Sequence, residues 1–370
     1  MTRIEVESGS DWSEKLKDEW NDLYSAIEFP TPFQHIDWLS SWQSTVGRTA
    51  RPHVVTVRQG KELVGALALV KRSRPFAILR SMAVGPSDYL HPLVRSGSAE
   101  VFWAALSDYM DGLPKITFDL QQIRRTQWGA ENDPSFIQRP QAQCLCIDLP
   151  TTMDAYTADL GKSLRYEVRK AATPTLKLKG MRIVDATPNT LSEALDVFFQ
   201  LHAARWRRRG LPGAFFGRLV RLHREWAPKA LANDMLRLRL LEHEGKPIGA
   251  IYGMKAGDAC FFYQAGMDPE SKALSPGTIL IANLIESSIE EGLVRFDLMR
   301  GDEAYKRRWK PQHVFSNIRF VRPAKGLTGT ISAHQMSLRA VVEDKLRSRL
   351  EGGSLVPPRR RLKSDDPTCR

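Results

Sequence analysis

The sequence predicts an α/β protein in which helices pack on a mixed sheet made from two copies of one unit. Two strand pairs, at residues 53–71 and 236–255, turn at Gly-Lys and carry Gly-Ala in their second strand. About 180 residues also separate the segments 112–120 and 292–298, which both resemble a strand that follows a helix-ending glycine. Matched blocks in the same order, at nearly the same offset, indicate an internal repeat.

Composition places the chain among ordinary globular proteins. Its 370 residues are 42% hydrophobic and 26% charged, which excludes a largely disordered chain and allows about two domains. No apolar run approaches the roughly 20 residues that span a bilayer. Residues 1–7 lack the apolar stretch of a secretory signal, so we expect a cytoplasmic protein. Four cysteines do not make a disulfide framework.

The net charge of +12 lies entirely in the second half of the chain. Residues 1–150 sum to −2, whereas residues 151–370 sum to +14. This asymmetry favours an anionic ligand in the second half: nucleotide phosphates, an acidic sugar, RNA or a membrane surface. Part of the charge belongs to residues 351–370, which we interpret as a disordered basic tail after a helix at 326–350.

The first unit, residues 1–150, follows from hydrophobic periodicity. Apolar residues at helical spacing give way to segments of period two, and glycine or proline bounds many of these segments. The predicted elements are helices at 11–27 and 35–46, strands at 53–58 and 63–71, a helix at 98–110, a strand within 112–120 and a closing strand at 144–149. Pro150 separates this unit from the next one.

The second unit, residues 151–325, shows the same patterns more clearly. Gly245 and Gly257 mark turns between three alternating segments, which predict an antiparallel meander. The predicted elements are a helix at 159–172, a strand at 181–185, helices at 189–208 and 213–232, strands at 235–243, 247–255 and 259–267, a helix at 276–291 and a strand at 294–298. A meander that leads into a helix and one more strand predicts a mixed sheet covered by helices.

The start of the predicted helix at 276–291 is a candidate anion site. Ser275 suits the N-cap position, Pro276 suits the first helical position, and Gly277 has no side chain to keep a ligand away from the backbone. The first N–H groups of a helix lack partners within it and lie at the positive end of the helix dipole, which suits a phosphate. An ordinary capped helix explains the same residues.

A charged block, residues 297–309, directly follows the last predicted strand, where ligands commonly bind in α/β sheets. An aspartate there suits a general base, Tyr305 a proton donor, and Lys306 the binding of an anion or oxyanion. A solvated charged loop whose tyrosine and tryptophan pack on the core is the other interpretation.

Two helices carry further cations. Lys162, Arg165, Tyr166 and Arg169 share one helix face. Residues 202–210 end the next long helix with a histidine and a cluster of arginines, which binding or ordinary helix-end electrostatics both explain.

Sequence motifs for several other chemistries are missing. The chain contains no phosphate-binding loop of the P-loop type, no dinucleotide-binding glycine motif, no zinc-protease motif and no nucleophile elbow. Cys144 and Cys146 alternate on a predicted strand without a second Cys/His pair nearby, so we interpret them as core residues and expect no metal.

Several segments together resemble the CelD/BioF2-like acyltransferases of the GNAT superfamily, which are close to the FemAB-like peptidyltransferases with tandem GNAT-like units. The resemblance covers residues 155–312 well and the first unit more loosely. The matching segments are residues 33–42, 162–165, 201–206, 275–277 and 301–309.

The resemblance implies a CoA thioester donor, acetyl-CoA or another acyl-CoA, with its pyrophosphate on the N–H groups around Gly277. The residues implied to bind the donor are Gln264, Ala265, Gly266, Ser275, Gly277 and Thr278. The residues expected to contact the acceptor are Arg165, His202, Arg205, Trp206 and Asp297. For direct attack of an amine or hydroxyl on the thioester, the resemblance suggests Asp302 as base, Tyr305 as acid or positioning group, and Lys306 for developing negative charge.

One departure from the GNAT pattern keeps the donor open. The usual pyrophosphate loop is Gln/Arg-x-x-Gly-x-Gly/Ala, and residues 272–277 supply only its last glycine. The first unit has no Ser-Pro-Gly equivalent, so we expect one donor site, in the second unit, with the first unit lining the acceptor cleft. The expected function is acyl-CoA-dependent N- or O-acyl transfer to a sugar, a polysaccharide precursor or a lipid intermediate. An aminoacyl-tRNA-dependent transferase and a noncatalytic binder of nucleic acid or another anionic polymer are the alternatives.

Overall fold

A computed structural model of the chain defines the fold. It describes residues 1–326 and Gly329, except residues 74–76, 125–128, 131–132, 172–175, 177–178, 208–212 and 214. The helix expected at 326–350 and the tail expected at 351–370 lie outside the described residues, apart from the isolated positions 326 and 329.

The first half contains the predicted helices and strands together with strands that the sequence patterns missed. Its elements are β1 (Thr2–Glu7), α1 (Trp12–Lys15), α2 (Lys17–Ser25), α3 (Ile36–Thr45), β2 (Arg51–Gln59), β3 (Glu62–Arg72), β4 (Ile78–Ser81), β5 (Leu93–Val94), α4 (Ala99–Asp111), β6 (Thr117–Ile123) and β7 (Ile137–Asp148). The single helix expected at 11–27 is divided at Leu16 into α1 and α2. The strands that the sequence patterns missed are β1, β4 and β5.

The second half contains the predicted elements in the predicted order, together with two short helices and a last strand that the sequence patterns missed. Its elements are α5 (Met153–Asp159), α6 (Lys162–Lys170), β8 (Met181–Asp185), α7 (Leu191–Arg207), α8 (Arg218–Ala232), β9 (Leu236–His243), β10 (Lys246–Ala256), β11 (Ala259–Met267), α9 (Pro276–Glu290), β12 (Arg295–Arg300), α10 (Ala304–Arg307) and β13 (His313–Arg322). The helix expected at 159–172 is wrong in its start, because extended backbone at Leu160 and Gly161 separates α5 from α6.

All thirteen of these strands belong to one mixed sheet. Its order is β1-β2-β3-β4-β6-β13-β7-β12-β11-β10-β9-β8, with β5 paired to β3. Along this path the described strands are parallel only at β4–β6 and β11–β12. The run β1-β2-β3-β4-β6-β13 therefore repeats the directions of β8-β9-β10-β11-β12-β7, which confirms two copies of one α/β unit.

The two halves exchange their last strands. β7, from the first half, pairs with β12 through Ile147 and Phe296, while β13, from the second half, pairs with β6 through Leu120 and Phe320. β13 and β7 also pair with each other at the centre of the sheet. The boundary that we expect at residue 150 thus follows a strand that completes the other half, and separating the halves would break backbone hydrogen bonds on both sides.

Helices cover both faces of the sheet. On one face, α2 and α3 of the first half meet α7 and α8 of the second half in a shared core, where the rings of Trp38 and Trp226 lie 5.4 Å apart. On the opposite face, α4 packs on the first half, and α9 with α5 and α6 packs on the second half. Cys144 and Cys146 are buried free thiols, as expected of core residues.

Candidate active site

The parallel strands β11 and β12 separate soon after they meet. They pair over only three residues each, and Phe261 opposite Asp297 is the last pair. Just beyond this pair, each strand carries one extra residue relative to the strand on its other side. The extra residue is Tyr263 in β11, opposite β10, and Leu298 in β12, opposite β7. Such bulges bend and twist a strand, so the two strands diverge. We call the opening between residues 262–267 and 298–300 the fork.

A buried carboxylate lies at the closed end of the fork. Asp297 is 1% exposed, and its carboxylate accepts hydrogen bonds from the Tyr89 hydroxyl at 2.9 Å and from the Met299 N–H at 2.6 Å. Met299 has a φ of 60°, a strained value for a residue with a side chain, and the hydrogen bond that its N–H donates to Asp297 stabilises this conformation. Burial raises the pKa of Asp297 to about 6, although the positive charge of Arg124 opposes the shift.

The start of α9 is shaped for a ligand that touches the backbone. Pro276 occupies the first turn, and a Cβ built on Gly277 would meet only the flexible end of Met267, at 2.9 Å. Packing therefore does not require a glycine there. Open backbone at a helix N-terminus is the arrangement that binds a phosphate.

The capping role that the sequence suggests for Ser275 is wrong. Ser275 stands at the N-cap, but its side chain makes no capping hydrogen bond. Its φ of 54° places the backbone in the left-handed region, whereas a capping serine normally has extended backbone. Its carbonyl oxygen instead accepts the N–H groups of Thr278 and Ile279.

Helix α6 lies beside the start of α9. The Glu167 carboxylate accepts hydrogen bonds from the Thr278 hydroxyl at 3.3 Å and from the Arg308 guanidinium at 2.6 Å. Arg165, an expected acceptor contact, donates to the carbonyl oxygens of Ala158 and Leu160 and so stabilises the end of α5. Of the cationic stripe on α6, Lys162, Tyr166 and Arg169 are exposed.

Helix α7 packs directly on β11 and brings together two of the motifs found in the sequence. A Cβ on Gly266 would lie 2.5 Å from the backbone nitrogen of His202, so this glycine permits the close approach of α7. Arg205 donates to the carbonyl oxygen of Ala265 at 3.2 Å. The side-chain face of Gly266 is thus occupied by protein, and only its backbone remains for a ligand.

His202 is a buried neutral side chain. Its Nε2 accepts a hydrogen bond from the Trp206 indole at 2.9 Å, and Phe198 and Phe215 pack around its ring. Burial, with the positive charge of Arg205, lowers the pKa of His202 to about 4. His202 therefore stays unprotonated at neutral pH, at the point where α7 packs on β11.

The residues expected to be catalytic occupy different surroundings after β12. Lys306 is 4% exposed, and its Nζ donates to the carbonyl oxygen of Arg300 at 2.5 Å and lies 3.0 Å from a carboxylate oxygen of Glu303. Asp302 is exposed and paired with Arg307. Tyr305 is partly buried against the core beneath α9. These contacts fix the path of residues 300–303.

A segment of the first half, Gly85 to Tyr89, reaches the fork and was missed by the sequence analysis. The Asp88 carboxylate accepts the backbone N–H of Arg300 at 3.2 Å and pairs with its guanidinium. The Tyr263 hydroxyl donates to the carbonyl oxygen of Pro86 at 2.8 Å. More than 170 residues separate these partners, so no local pattern reveals the contact. Both halves therefore line the fork.

Comparison with known protein families supports the chemistry of the second half. Residues 162–307 match the acetyltransferase (GNAT) domain family, which identifies this region as a GNAT acetyltransferase domain and the protein as an acyltransferase. No curated protein matches the chain significantly. In the described part of the chain, no group of three or more His, Cys, Asp or Glu residues is arranged to hold a metal ion. No helix among the described residues is both long and apolar enough to cross a membrane.

Solved structures share the fold of most of the chain. FemX has 11% identity and a TM-score of 0.61, over 85% of this chain and 96% of FemX. The C-terminal domain of a protein named as a lysylphosphatidylglycerol synthetase from Agrobacterium fabrum has 10% identity and a TM-score of 0.56, over 88% and 97% of the two chains. L-PGS from Bacillus licheniformis has 15% identity and a TM-score of 0.53, over 86% and 94%. At such identities the similarity shows the fold alone.

Proposed function

Because residues 162–307 form a GNAT acetyltransferase domain, we propose that the protein is an acyl-CoA-dependent N- or O-acyltransferase. Acetyl-CoA is the preferred donor, and the acceptor is a sugar, a polysaccharide precursor or another envelope or lipid intermediate. The motifs at residues 33–42 and 301–309 further suggest the CelD/BioF2-like branch of the superfamily.

The observation that carries this proposal is the fork beside the start of α9. Two bulges open β11 and β12, and Gly277 presents backbone without a packing reason for lacking a side chain. The backbone at Gly277 and the hydroxyl of Thr278 are suited to the donor's pyrophosphate, and the backbone at 264–266 is suited to its pantetheine arm. The N–H of Ser275 donates to the Lys272 carbonyl oxygen, and its carbonyl oxygen accepts the N–H groups of Thr278 and Ile279, so Ser275 would contribute to donor binding through its hydroxyl.

The reaction forms a bond from the acceptor nitrogen or oxygen to the acyl carbon and breaks the carbon–sulfur bond. The nucleophile loses a proton, and the leaving thiolate gains one. We propose that Asp302 and Tyr305 serve these proton transfers. The buried contacts of Lys306 favour a positioning role, in which it holds the carbonyl oxygens of residues 300–301. The region around His202, Arg205 and Trp206 is the proposed wall of the acceptor cleft, with Asp297 at its closed end.

An aminoacyl-tRNA donor is the second candidate. The observation that favours it is the exposed cationic stripe of α6, Lys162, Tyr166 and Arg169, beside the start of α9. A polyanionic donor would bind there with strong salt dependence. The resemblance to FemAB-like transferases, which use aminoacyl-tRNA in place of CoA, points the same way.

The test is a transfer assay with both donors. Purified protein is incubated with acetyl-CoA or with charged tRNA and a panel of amino sugars, sugar phosphates and polyamines. We expect thiol release from acetyl-CoA that depends on an added acceptor, together with an acetylated product in the mass spectrum. Transfer from charged tRNA with no reaction of acetyl-CoA would reject the leading proposal.

A further inference from the structure

A small cavity lies between the two halves, next to the closed end of the fork. It has an empty volume of about 270 Å³, counted together with its solvent-open mouth, and inside it there is room for only a small group. We call it the fork cavity. Residues that line it include Phe29, Arg124, Cys146, Phe261, Arg295 and Asp297.

Two arginines of the fork cavity pack on one aromatic ring. The guanidinium carbon of Arg124 lies 5.1 Å from the ring centre of Phe29, and that of Arg295 lies 4.8 Å from the same centre. Arg124 also lies 4.6 Å from the ring centre of Phe315. Stacking holds a guanidinium plane in place while its N–H groups stay available at the edge.

The two arginines differ in their partners. Arg295 forms hydrogen bonds to both carboxylate oxygens of Asp258, at 2.9 and 3.0 Å. Within the described part of the chain, Arg124 is half-buried and has no carboxylate at ion-pair distance and no hydrogen-bond partner. A guanidinium that aromatic rings hold in place, with N–H groups that no carboxylate uses, favours an anionic ligand.

Asp297 does not supply that anion. Its carboxylate already accepts the Tyr89 hydroxyl and the Met299 N–H. Its pKa, raised to about 6 by burial, leaves it partly protonated in weakly acidic solution. It still gives the cavity a hydrogen-bonding group within reach of the charge on Arg124, which lowers the same pKa.

We propose that the fork cavity is an anion subsite for the acceptor, in which Arg124 binds a carboxylate or phosphate group. The acceptor is then a negatively charged amine or alcohol, and both halves contribute to its binding. This proposal rests on the acyltransferase function, because it places the acceptor's anionic group beside Asp297, which belongs to the last strand pair before the fork. The interior of the cavity holds only about one water-sized group, so the anionic group would bind at the mouth of the cavity, with the rest of the molecule outside it.

The test uses inorganic phosphate and acetate as probes of the two chemistries. Each is titrated calorimetrically into the full chain, into Arg124→Gln, and into Arg182→Gln. Arg182 is a matched control because it lies on the edge strand β8, its side chain is 71% exposed, and it pairs with Glu242. We expect millimolar binding that falls at least tenfold in Arg124→Gln and is unchanged in Arg182→Gln. Equal binding by all three proteins would overturn the proposal.

A second measurement needs no substitution. Phenylglyoxal modifies accessible arginines, and mass spectrometry reports the rate at Arg124. We expect phosphate or acetate to slow this reaction at least threefold, while Arg182 reacts at an unchanged rate. Protection by phosphate alone would identify a phosphorylated acceptor, and protection by acetate alone a carboxylate. A rate at Arg124 that neither probe changes would overturn the proposal.

Acetyl-CoA binding, measured on the same preparations, separates this proposal from the acyltransferase function. Anion binding at Arg124 without acetyl-CoA binding would retain the subsite and reject the donor. Acetyl-CoA binding without anion binding at Arg124 would retain the donor and reject the subsite.

Discussion

Gly266 and Gly277 of the candidate site are glycines for different reasons, and replacing each by alanine distinguishes those reasons. In Gly266→Ala the new Cβ would lie 2.5 Å from the His202 nitrogen and 2.8 Å from the Leu201 carbonyl carbon. Both are backbone atoms of α7, so relief requires the helix to move away from β11. Overpacking of this kind costs about 1–3 kcal/mol.

Gly277→Ala should behave differently. Its Cβ would meet only the terminal carbon of Met267, which can rotate away. Alanine in a helix is favoured over glycine by up to about 1 kcal/mol, so the free energy of unfolding should stay equal or rise. Affinity for acetyl-CoA should fall, because the new methyl group lies where the donor approaches the backbone.

Urea denaturation followed by circular dichroism measures the first effect, and calorimetry with acetyl-CoA measures the second. We expect Gly266→Ala to lose about 1–3 kcal/mol of stability without a change in the denaturant slope. If the free energy of unfolding of Gly266→Ala lies within about 0.5 kcal/mol of the parent value, α7 does not approach β11 as closely as described. A Gly277→Ala protein that is strongly destabilised would show that the start of α9 is a packing feature.

Three further predictions concern buried polar groups. Burial raises the pKa of Asp297 from 3.8 to about 6, so its ionisation lowers stability as pH rises through that window, by up to about 3 kcal/mol. Asp297→Asn should therefore be stabilised relative to the parent at pH 8 but not at pH 3.5 in thermal unfolding, and a difference independent of pH would contradict this. Burial lowers the pKa of His223 to about 3, so the stability that the neutral side chain contributes is complete above pH 6.5 and is lost as the pH falls below 6.5. His223→Phe should therefore flatten the decline in Tm between pH 6.5 and 4. An unaltered decline would count against a buried neutral His223. Lys306→Met leaves the carbonyl oxygens of residues 300–301 without their donor, so unfolding free energy should fall by about 1–3 kcal/mol along with activity; loss of activity at full stability would instead favour direct catalysis by Lys306.

Much of the fold follows from local patterns in the sequence. The repeat between residues 53–71 and 236–255 predicts the two copies of the sheet, because each strand pair contains its own turn and its own alternation. The start of α9 is equally readable, since proline and glycine act there through their own backbone preferences. The helix predicted at 35–46 is α3, whose Trp38 packs in the core shared by the halves.

The remaining features depend on contacts between distant residues. The exchange of β7 and β13 is invisible in the sequence, because either half could complete itself with its own last strand. The segment from Gly85 to Tyr89 has no periodicity, and its role appears only when Asp88 meets Arg300. The proposed role of Arg124 likewise depends on Phe29 and Phe315, which are distant in the sequence and stack on its guanidinium. The assignment of Ser275 as a capping residue failed because residue type does not specify its left-handed backbone.

Calorimetric titration with acetyl-CoA and free CoA tests the central claim, donor binding at the start of α9, most directly. The full chain is compared with Gly277→Trp and with Glu290→Trp, which places the same side chain at an exposed position at the other end of α9. We predict micromolar binding by the parent and by Glu290→Trp, and its loss in Gly277→Trp. Absence of CoA binding by the folded parent, or equal binding by Gly277→Trp, would contradict the account.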